Sequence, residues 1–251
     1  MGTVIIEFSP TGGTDKVAQV IAQAWGGTGC VVDLTDPKTD FSACEVVPGD
    51  RAIIAMPVFG GTAPQVALER LGKIRGNGAA CALVAVYGNR AFEHALADMG
   101  TAARSCSFTV VAGVAGVAEH SIARQFATDR PDAQDVTELR GIAARIAERG
   151  LGEAAMPGGP SAKKGGDGGA NMLLPKPTRG CTRCGACAAA CPVEAIDPAT
   201  LQADPKSCID CMRCMARCPA KARKVSGAAL VAVGAMLRKA CSKRKEPELF
   251  I

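Results

Sequence analysis

The chain has 251 residues and a formal net charge of +5, and 48% of its residues are hydrophobic but only 4% aromatic. This length suits one substantial domain and a smaller one, and the composition is typical of an α/β protein. Thirteen cysteines without a visible secretion signal favour metal ligation over disulfides and predict a cytoplasmic location. The longest apolar run, at 228–237, is too short to span a bilayer, so we expect no transmembrane segment.

Residues 1–150 alternate between strand-like and helix-like segments. The strand candidates are TVIIEFS, CVVDL, RAIIAMPVF, ALVAVYG and FTVVAGVA, beginning near residues 3, 30, 51, 82 and 108. The helix candidates lie around residues 14–25, 64–75, 91–103 and 132–149. Nearly continuous apolar strands joined by helical crossovers are typical of a parallel sheet covered on both faces. The sequence therefore predicts a doubly wound, five-stranded parallel sheet.

A glycine loop, FSPTGGTDK at residues 8–16, joins the first strand candidate to the first helix candidate. Backbone N–H groups at such a helix N-terminus attract phosphate. The nucleotide-triphosphatase pattern needs Gly-Lys-Ser/Thr, but Gly13 is followed here by Thr14 and Asp15, and the dinucleotide pattern is missing too. A turn that only caps a helix is the structural alternative.

The second part of the chain begins with a change in composition. Residues 151–178 are dense in Gly, Pro and Lys and predict a flexible linker, although Met172, Leu173 and Leu174 could pack on a domain. A cysteine-dense module occupies 179–225, and 226–251 comprises a helix candidate at 226–241 and a basic tail. Leu230, Val233 and Leu237 on one face of that helix predict packing on the protein itself.

The cysteine module contains two copies of C-x2-C-x2-C-x3-C-P, at 181–192 and 208–219. In this pattern the first three cysteines lie on a tight turn and bind three irons of one cubane iron–sulfur cluster. The fourth cysteine binds a second cluster. The predicted ligands of cluster I are Cys181, Cys184, Cys187 and Cys218. The predicted ligands of cluster II are Cys208, Cys211, Cys214 and Cys191. The segment resembles bacterial two-cluster ferredoxins, which implies a small α+β domain with two [4Fe-4S] clusters.

Zinc is the main alternative, because paired C-x2-C motifs also form Zn(Cys)4 sites. The third cysteine and the trailing proline in both runs favour clusters over zinc. Of the other five cysteines, Cys30 and Cys81 lie in apolar runs and are interpreted as small core residues.

With a ferredoxin-like module in the chain, the glycine loop is interpreted as a flavin phosphate site. S-P-T-G-G-T matches the flavodoxin pattern Ser/Thr-x-Thr-Gly-x-Thr, and this resemblance implies FMN and strand order 2-1-3-4-5. In that order the loops after strands 1, 3 and 4 meet at the carboxyl edge of the sheet. The predicted FMN-binding residues are Ser9, Pro10, Thr11, Gly12, Gly13, Thr14, Pro57, Val58, Phe59, Gly60, Gly61, Tyr87, Gly88, Asn89 and Arg90.

Roles follow for several of these residues. Phe59 and Tyr87 would flank the isoalloxazine ring, and Gly60 with Gly61 would let a peptide approach its N5 atom. Asn89 or Arg90 would face its N1/C2 edge. His120, beyond the fifth strand candidate, is a weaker candidate for the same site.

The whole chain resembles the flavodoxin–ferredoxin fusion proteins of anaerobic bacteria and archaea. Besides the two motifs, the resemblance includes GNR at 88–90, AEHSIAR at 118–124, RPD at 130–132 and the ending EPELFI. It implies FMN, two [4Fe-4S] clusters and an electron-transfer or flavin-oxidoreductase function.

The charge is divided unevenly between the two parts. Residues 1–150 have 13 Lys or Arg against 16 Asp or Glu, whereas residues 151–251 have 16 against 8. We interpret the basic part as offsetting cluster charge and docking acidic redox partners, and we expect no nucleic-acid binding because no reading motif accompanies it. The sequence is also compatible with a homodimer.

The sequence supports three candidate functions. The favoured one is an electron carrier between one-electron clusters and a two-electron flavin. A flavin-dependent reductase of a small substrate and an iron–sulfur sensor are the alternatives. The physiological donor and acceptor do not follow from the sequence.

Overall fold

A computed structural model describes residues 2–27, 29–159, 161 and 173–251. Its main sheet has six strands in the order β2-β1-β3-β4-β5-β8. The strands are β1 (Thr3–Glu7), β2 (Val31–Asp33), β3 (Arg51–Pro57), β4 (Ala80–Tyr87), β5 (Thr109–Val117) and β8 (Glu248–Phe250). The first five are parallel, and their order 2-1-3-4-5 confirms the predicted flavodoxin-like sheet.

A sixth strand, which was not predicted from the sequence, extends the five parallel strands. The chain end, interpreted above as part of a basic tail, returns to the sheet as β8 and pairs antiparallel with β5. Val114 faces Leu249 in this register, and Gly113 faces Phe250. An unpaired edge of β5 would expose N–H and C=O groups, and the last residues of the chain cover part of it.

Four helices cover the two faces of the sheet. They are α1 (Gly13–Trp25), α2 (Gln65–Leu71), α3 (Ala95–Ser105) and α4 (Ala133–Arg149). On one face, Ile6, Ile54 and Leu83 pack with residues of α2 and α3. On the other face, the alternate strand positions pack with α1 and α4. This three-layer arrangement places both hydrophobic cores beneath the carboxyl edge, where the glycine loop lies.

The start of the predicted linker is attached to the first domain. Ala154 N donates to Val110 O (2.8 Å), and Met156 packs into the core on the side of α3. Arg104 binds Glu153 (2.8 Å). Residues 160 and 162–172, with Met172 among them, lie outside the described part of the chain, whereas Leu173 packs against Ile122 and Val233.

The cysteine module is a small α+β unit. Its elements are β6 (Lys176–Pro177), α5 (Ala186–Ala189), α6 (Arg213–Ala216) and β7 (Arg223–Lys224). The strands β6 and β7 pair antiparallel, and the two short helices follow equivalent turns of the two cysteine runs. Both helices begin after a residue with a left-handed backbone, Gly185 and Met212.

The last helix, α7 (Gly227–Leu237), packs on the protein as predicted. Val233 and Leu237 are buried against the segment between β5 and α4, and Leu230 joins a second small cluster. The opposite face exposes Val231 and Met236. No helix in the described ranges is both long enough and apolar enough to cross a membrane.

Candidate functional site

The eight motif cysteines line two separate cavities of about 320 Å³ each. The first is lined by Cys181, Cys184, Cys187 and Cys218. The second is lined by Cys191, Cys208, Cys211 and Cys214. These are the two sets that the crossover spacing predicts, so each run contributes three cysteines to one cavity and its last cysteine to the other.

Backbone donors surround the crossover cysteines in the same way in both halves. Ala195 N donates to Cys191 Sγ (3.3 Å), and Ala222 N donates to Cys218 Sγ (3.2 Å). Such N–H···S bonds stabilise thiolate ligands of iron–sulfur clusters. Four thiols per cavity with backbone donors behind them fit the ligand set of a [4Fe-4S] cluster.

Among the described residues, no group of three or more His, Cys, Asp or Glu side chains is arranged to hold one metal ion. Burial raises the pKa of the Cys208 thiol to about 11 and that of Cys211 to about 12. Binding of iron at the second cavity therefore has to release protons from these thiols.

The two cavities differ in their access to solvent. Cys184 of the first cavity is exposed, and hydrogen bonding from Ala186 N–H lowers the pKa of its thiol. Cys211 and Cys214 of the second cavity are buried. The first cavity thus lies at the surface of the cysteine module, and the second faces the sheet domain.

A third cavity, of about 460 Å³, opens at the carboxyl edge of the sheet. The predicted FMN residues that line it are Pro10, Thr11, Gly13, Thr14, Pro57, Val58, Phe59, Tyr87 and Gly88. The other lining residues are Val86, Ala118, Glu119, His120, Ser121 and Cys211. The loops after β1, β3 and β4 therefore converge here, joined by the segment after β5.

The glycine loop has the form of an anion site. Gly12 has a left-handed backbone (φ 90°), and no side chain caps α1 at this residue. Ser9 lies just outside the cavity lining, and its Oγ accepts a hydrogen bond from Asp15 N (2.9 Å). The remaining N–H groups of the first turn, with the hydroxyls of Thr11 and Thr14, fit a phosphate group.

Gly60 and Gly61 lie in a tight turn beside the cavity. They form the turn between Phe59 and Thr62, which exchange backbone hydrogen bonds, and they do not line the cavity. Both have positive φ values (61° and 94°), and a Cβ atom at Gly61 would collide with the Glu93 carboxylate. The two glycines shape the loop that presents Phe59.

Asn89 and Arg90 also lie outside the cavity lining. The Asn89 amide, 4% exposed, donates to Cys241 O (3.0 Å) and Lys243 O (2.9 Å) and accepts from Lys245 N (3.1 Å). Arg90 pairs with Glu93 (2.8 Å). Asn89 therefore binds the returning chain end, which the sequence pattern did not place near it.

The two predicted aromatic residues have unequal access to the cavity. The Tyr87 ring packs against Phe92, with centroids 5.7 Å apart, and burial raises its pKa to about 12. Phe59 is half-buried at the cavity wall. Of the two, Phe59 is the better placed to contact a flavin ring.

His120 lies at this site, as the weaker prediction suggested. Its Nδ1 accepts from Ile122 N and Ala123 N (3.2 Å each), so the proton of the neutral ring is on Nε2. Burial, followed by the charge of Arg90, lowers its pKa. A Cβ atom at Gly88 would come within 2.6 Å of the ring, so only glycine allows this approach.

Arg213, which begins α6, connects the cysteine module to the sheet domain. Its Nη1 donates to Ser9 O (3.2 Å) at the base of the glycine loop, and its Nη2 lies 3.5 Å from Asp33 Oδ2. Its Nε donates to Ala190 O (3.1 Å) within the module. A second arginine, Arg70 of α2, donates to Pro192 O (2.6 Å).

Residues 180–222 match a family model described as the 4Fe-4S dicluster domain. This match supports 4Fe-4S clusters in this segment of the chain. A comparison with curated proteins gave no match.

Solved structures similar to the chain include several flavin-related proteins. A flavodoxin of Streptococcus pneumoniae TIGR4 is 20% identical, with a TM-score of 0.42, over 59% of this chain and 99% of that one. Rubredoxin oxygen:oxidoreductase of Desulfovibrio gigas is 16% identical (TM-score 0.42), over 59% and 35%. An NADH:FMN oxidoreductase is 16% identical (TM-score 0.41), over 62% and 91%. The flavodoxin-like fold is identified by the strand order itself.

Proposed function

We propose that the protein is an electron-transfer flavo-iron–sulfur protein that passes electrons between two [4Fe-4S] clusters and FMN. The two four-cysteine cavities would hold the clusters, and the cavity at the carboxyl edge of the sheet would hold FMN. FMN supplies two-electron chemistry, and each cluster exchanges one electron. The partners would be redox proteins with acidic docking surfaces.

The observation that carries this proposal is the position of Cys211. This residue lines both the second four-cysteine cavity and the flavin cavity, so the two sites share a wall. At the opposite end, Cys184 is exposed beside basic side chains that include Arg183. The arrangement supports entry of electrons at Cys184 and exit toward the flavin at Cys211.

The test compares wild type with C211A under anaerobic conditions. We expect the wild type to contain eight iron atoms and eight sulfides per chain and to bind FMN. The variant should lose cluster II, retain FMN and show slower flavin reduction by a ferredoxin or reductase in stopped-flow absorbance. C30A is the matched control, because Cys30 lies outside the motifs and is exposed. Its interpretation as a core residue was therefore wrong. Bound zinc without sulfide, or an unchanged rate in C211A, would refute the proposal.

A groove of about 1640 Å³ favours the reductase alternative. It adjoins the flavin cavity at Thr11 and Gly13 and is lined by several cationic residues, among them Lys16, Lys221 and Lys224. Such a groove suits a small anionic substrate. Reoxidation of the flavin by a small anionic oxidant over many turnovers, in the same stopped-flow assay, would support a reductase over a carrier.

A further inference from the structure

Arg223, on β7, lies buried between the two sets of cysteines. It is 3% exposed, and its Nη1 donates to Leu201 O (2.8 Å) and lies 3.7 Å from Cys187 Sγ. Burial raises the pKa of the Cys214 thiol, and the nearby positive charge of Arg223 opposes that shift. Cys187 belongs to the first cavity and Cys214 to the second, so one guanidinium hydrogen-bonds a ligand of the first predicted cluster and its charge acts on a ligand of the second.

The hydrogen-bond capacity of this guanidinium is not filled by the protein. Its Nε and Nη2 atoms are buried and have no hydrogen-bond partner among the described residues. A guanidinium keeps its charge at all accessible pH values, and a buried cation without a counterion costs several kcal/mol. The chain has therefore placed a cation where a neighbouring anion must balance it.

Leu201 O does not supply that charge, because a carbonyl oxygen is neutral. The side chains within reach are the cysteine ligands, which become thiolates when iron binds. Clusters held by four thiolates are anionic, and each gains a further negative charge on reduction. The N–H groups of Arg223 that lack a partner would donate hydrogen bonds to the clusters or their ligands. Its positive charge would balance part of their negative charge.

We infer that Arg223 is a shared tuning residue, which stabilises the reduced state of both clusters and couples their potentials. This inference rests on the proposed presence of two clusters. Arg223 acts through hydrogen bonds and charge at the ligand sulfurs, and it exchanges no electrons itself. A cation near a cluster raises its reduction potential, because the reduced form is the more negative one.

Lys224 provides a matched comparison, because it is the next residue on β7 and carries the same charge. Its side chain is exposed, so water and salt screen it from the clusters. A general effect of net charge on the module would appear equally at both positions. An effect of the buried guanidinium group would appear only when Arg223 is replaced.

The experiment is an EPR-monitored potentiometric titration of wild type, R223Q, R223K and K224Q, after iron and sulfide have been counted. In R223Q we expect both clusters to become harder to reduce by roughly tenfold or more, about 59 mV each for one electron. In K224Q we expect the potentials to stay near those of wild type. R223K keeps the charge but replaces the planar guanidinium with a single ammonium group, so the two clusters should be affected unequally and the gap between their potentials should change.

The outcomes distinguish a failure of this inference from a failure of the proposed function on which it rests. A wild-type protein without two clusters would refute the proposed function. Intact clusters with unaltered potentials in R223Q, or equal shifts in R223Q and K224Q, would refute the role of Arg223. If R223Q assembles no clusters, R223K decides, and wild-type potentials for both of its clusters would refute the inference.

Discussion

Glu7 is a carboxyl group buried at the end of β1, where the sheet meets the cysteine module. It is 7% exposed, and its Oε2 has no hydrogen-bond partner among the described residues. Burial, followed by the charges of Asp15 on α1 and Asp33 on β2, raises its pKa from 4.5 to about 8, although Arg213 on α6 opposes the shift. The folded protein therefore keeps this proton at neutral pH.

We predict that Glu7 makes stability fall as pH rises. Between pH 4.5 and 8 the folded state holds a proton that the unfolded state releases, so the free energy of unfolding decreases by up to ~1.4 kcal/mol per pH unit. E7Q should remove this contribution and be more stable than wild type at pH 8. Thermal unfolding by circular dichroism at pH 5.5, 7 and 8.5 measures it. E148Q, at an exposed glutamate on α4, is the control, and parallel curves for E7Q and wild type would contradict the prediction.

For single residues, the sequence predicts the features that depend on neighbouring positions in the chain. It does not predict the features that depend on how the two units pack together. The ligand sets and the glycine loop depend on spacings within a few residues, so the motifs determine them. Cys211 was predicted only as a cluster ligand, because its second position, on the wall of the flavin cavity, depends on how the module docks. The burial of Glu7 depends on the same docking and leaves no pattern in the sequence.

Among the elements, the chain end differs most from its prediction. The C-terminal strap (residues 238–251) runs from α7 across the loop after β4 and ends as β8 on the edge of the sheet. Arg244 binds Asp132 (2.7 Å) and Asp135 (3.0 Å) at the start of α4. The strap was not predicted as a strand because its few apolar residues follow a basic segment and form no apolar run like CVVDL, which predicted the equally short edge strand β2. The four longer parallel strands were predicted because long apolar runs identify them directly, and the run CVVDL also predicted the short edge strand β2.

We predict that Asn89 holds the strap in place. Its amide makes three hydrogen bonds to strap residues, and its backbone is left-handed (φ 65°), a conformation that asparagine tolerates better than alanine. N89A should cost ~2–4 kcal/mol and speed trypsin cleavage at 238–245. Limited proteolysis with mass spectrometry measures this. N77A, at an exposed asparagine that also has positive φ (49°), should leave strap cleavage unchanged, and equal rates in N89A and wild type would count against the role.

In the whole molecule, the sheet domain and the cysteine module are joined by specific polar contacts. Arg213 and Arg70 cross between them in opposite directions, and Ile209 of the module packs against a core cluster of the sheet domain. Basic charge on the module and acidic charge on the sheet domain were predicted from composition. The sequence did not show that one buried arginine would reach the base of the glycine loop, because the two residues are 204 positions apart.

The last prediction concerns this contact between the two units. R213Q removes the charged donor to Ser9 O and the attraction to Asp33, which should cost roughly 1.5–3 kcal/mol of docking energy. The docking equilibrium constant would fall by roughly tenfold or more, and flavin reduction by way of the clusters would slow as the docked fraction falls. Anaerobic stopped-flow absorbance measures the rate, and iron, sulfide and FMN content should equal those of wild type.

R217Q is the matched control, because Arg217 follows the same short helix but is exposed. R213K should lie between R213Q and wild type, since lysine keeps the charge but cannot donate to Ser9 O and Ala190 O from separate nitrogens. Equal slowing in R213Q and R217Q would indicate weaker docking of the external partner instead. A wild-type rate in R213Q, with all cofactors bound, would show that electrons reach the flavin without this contact.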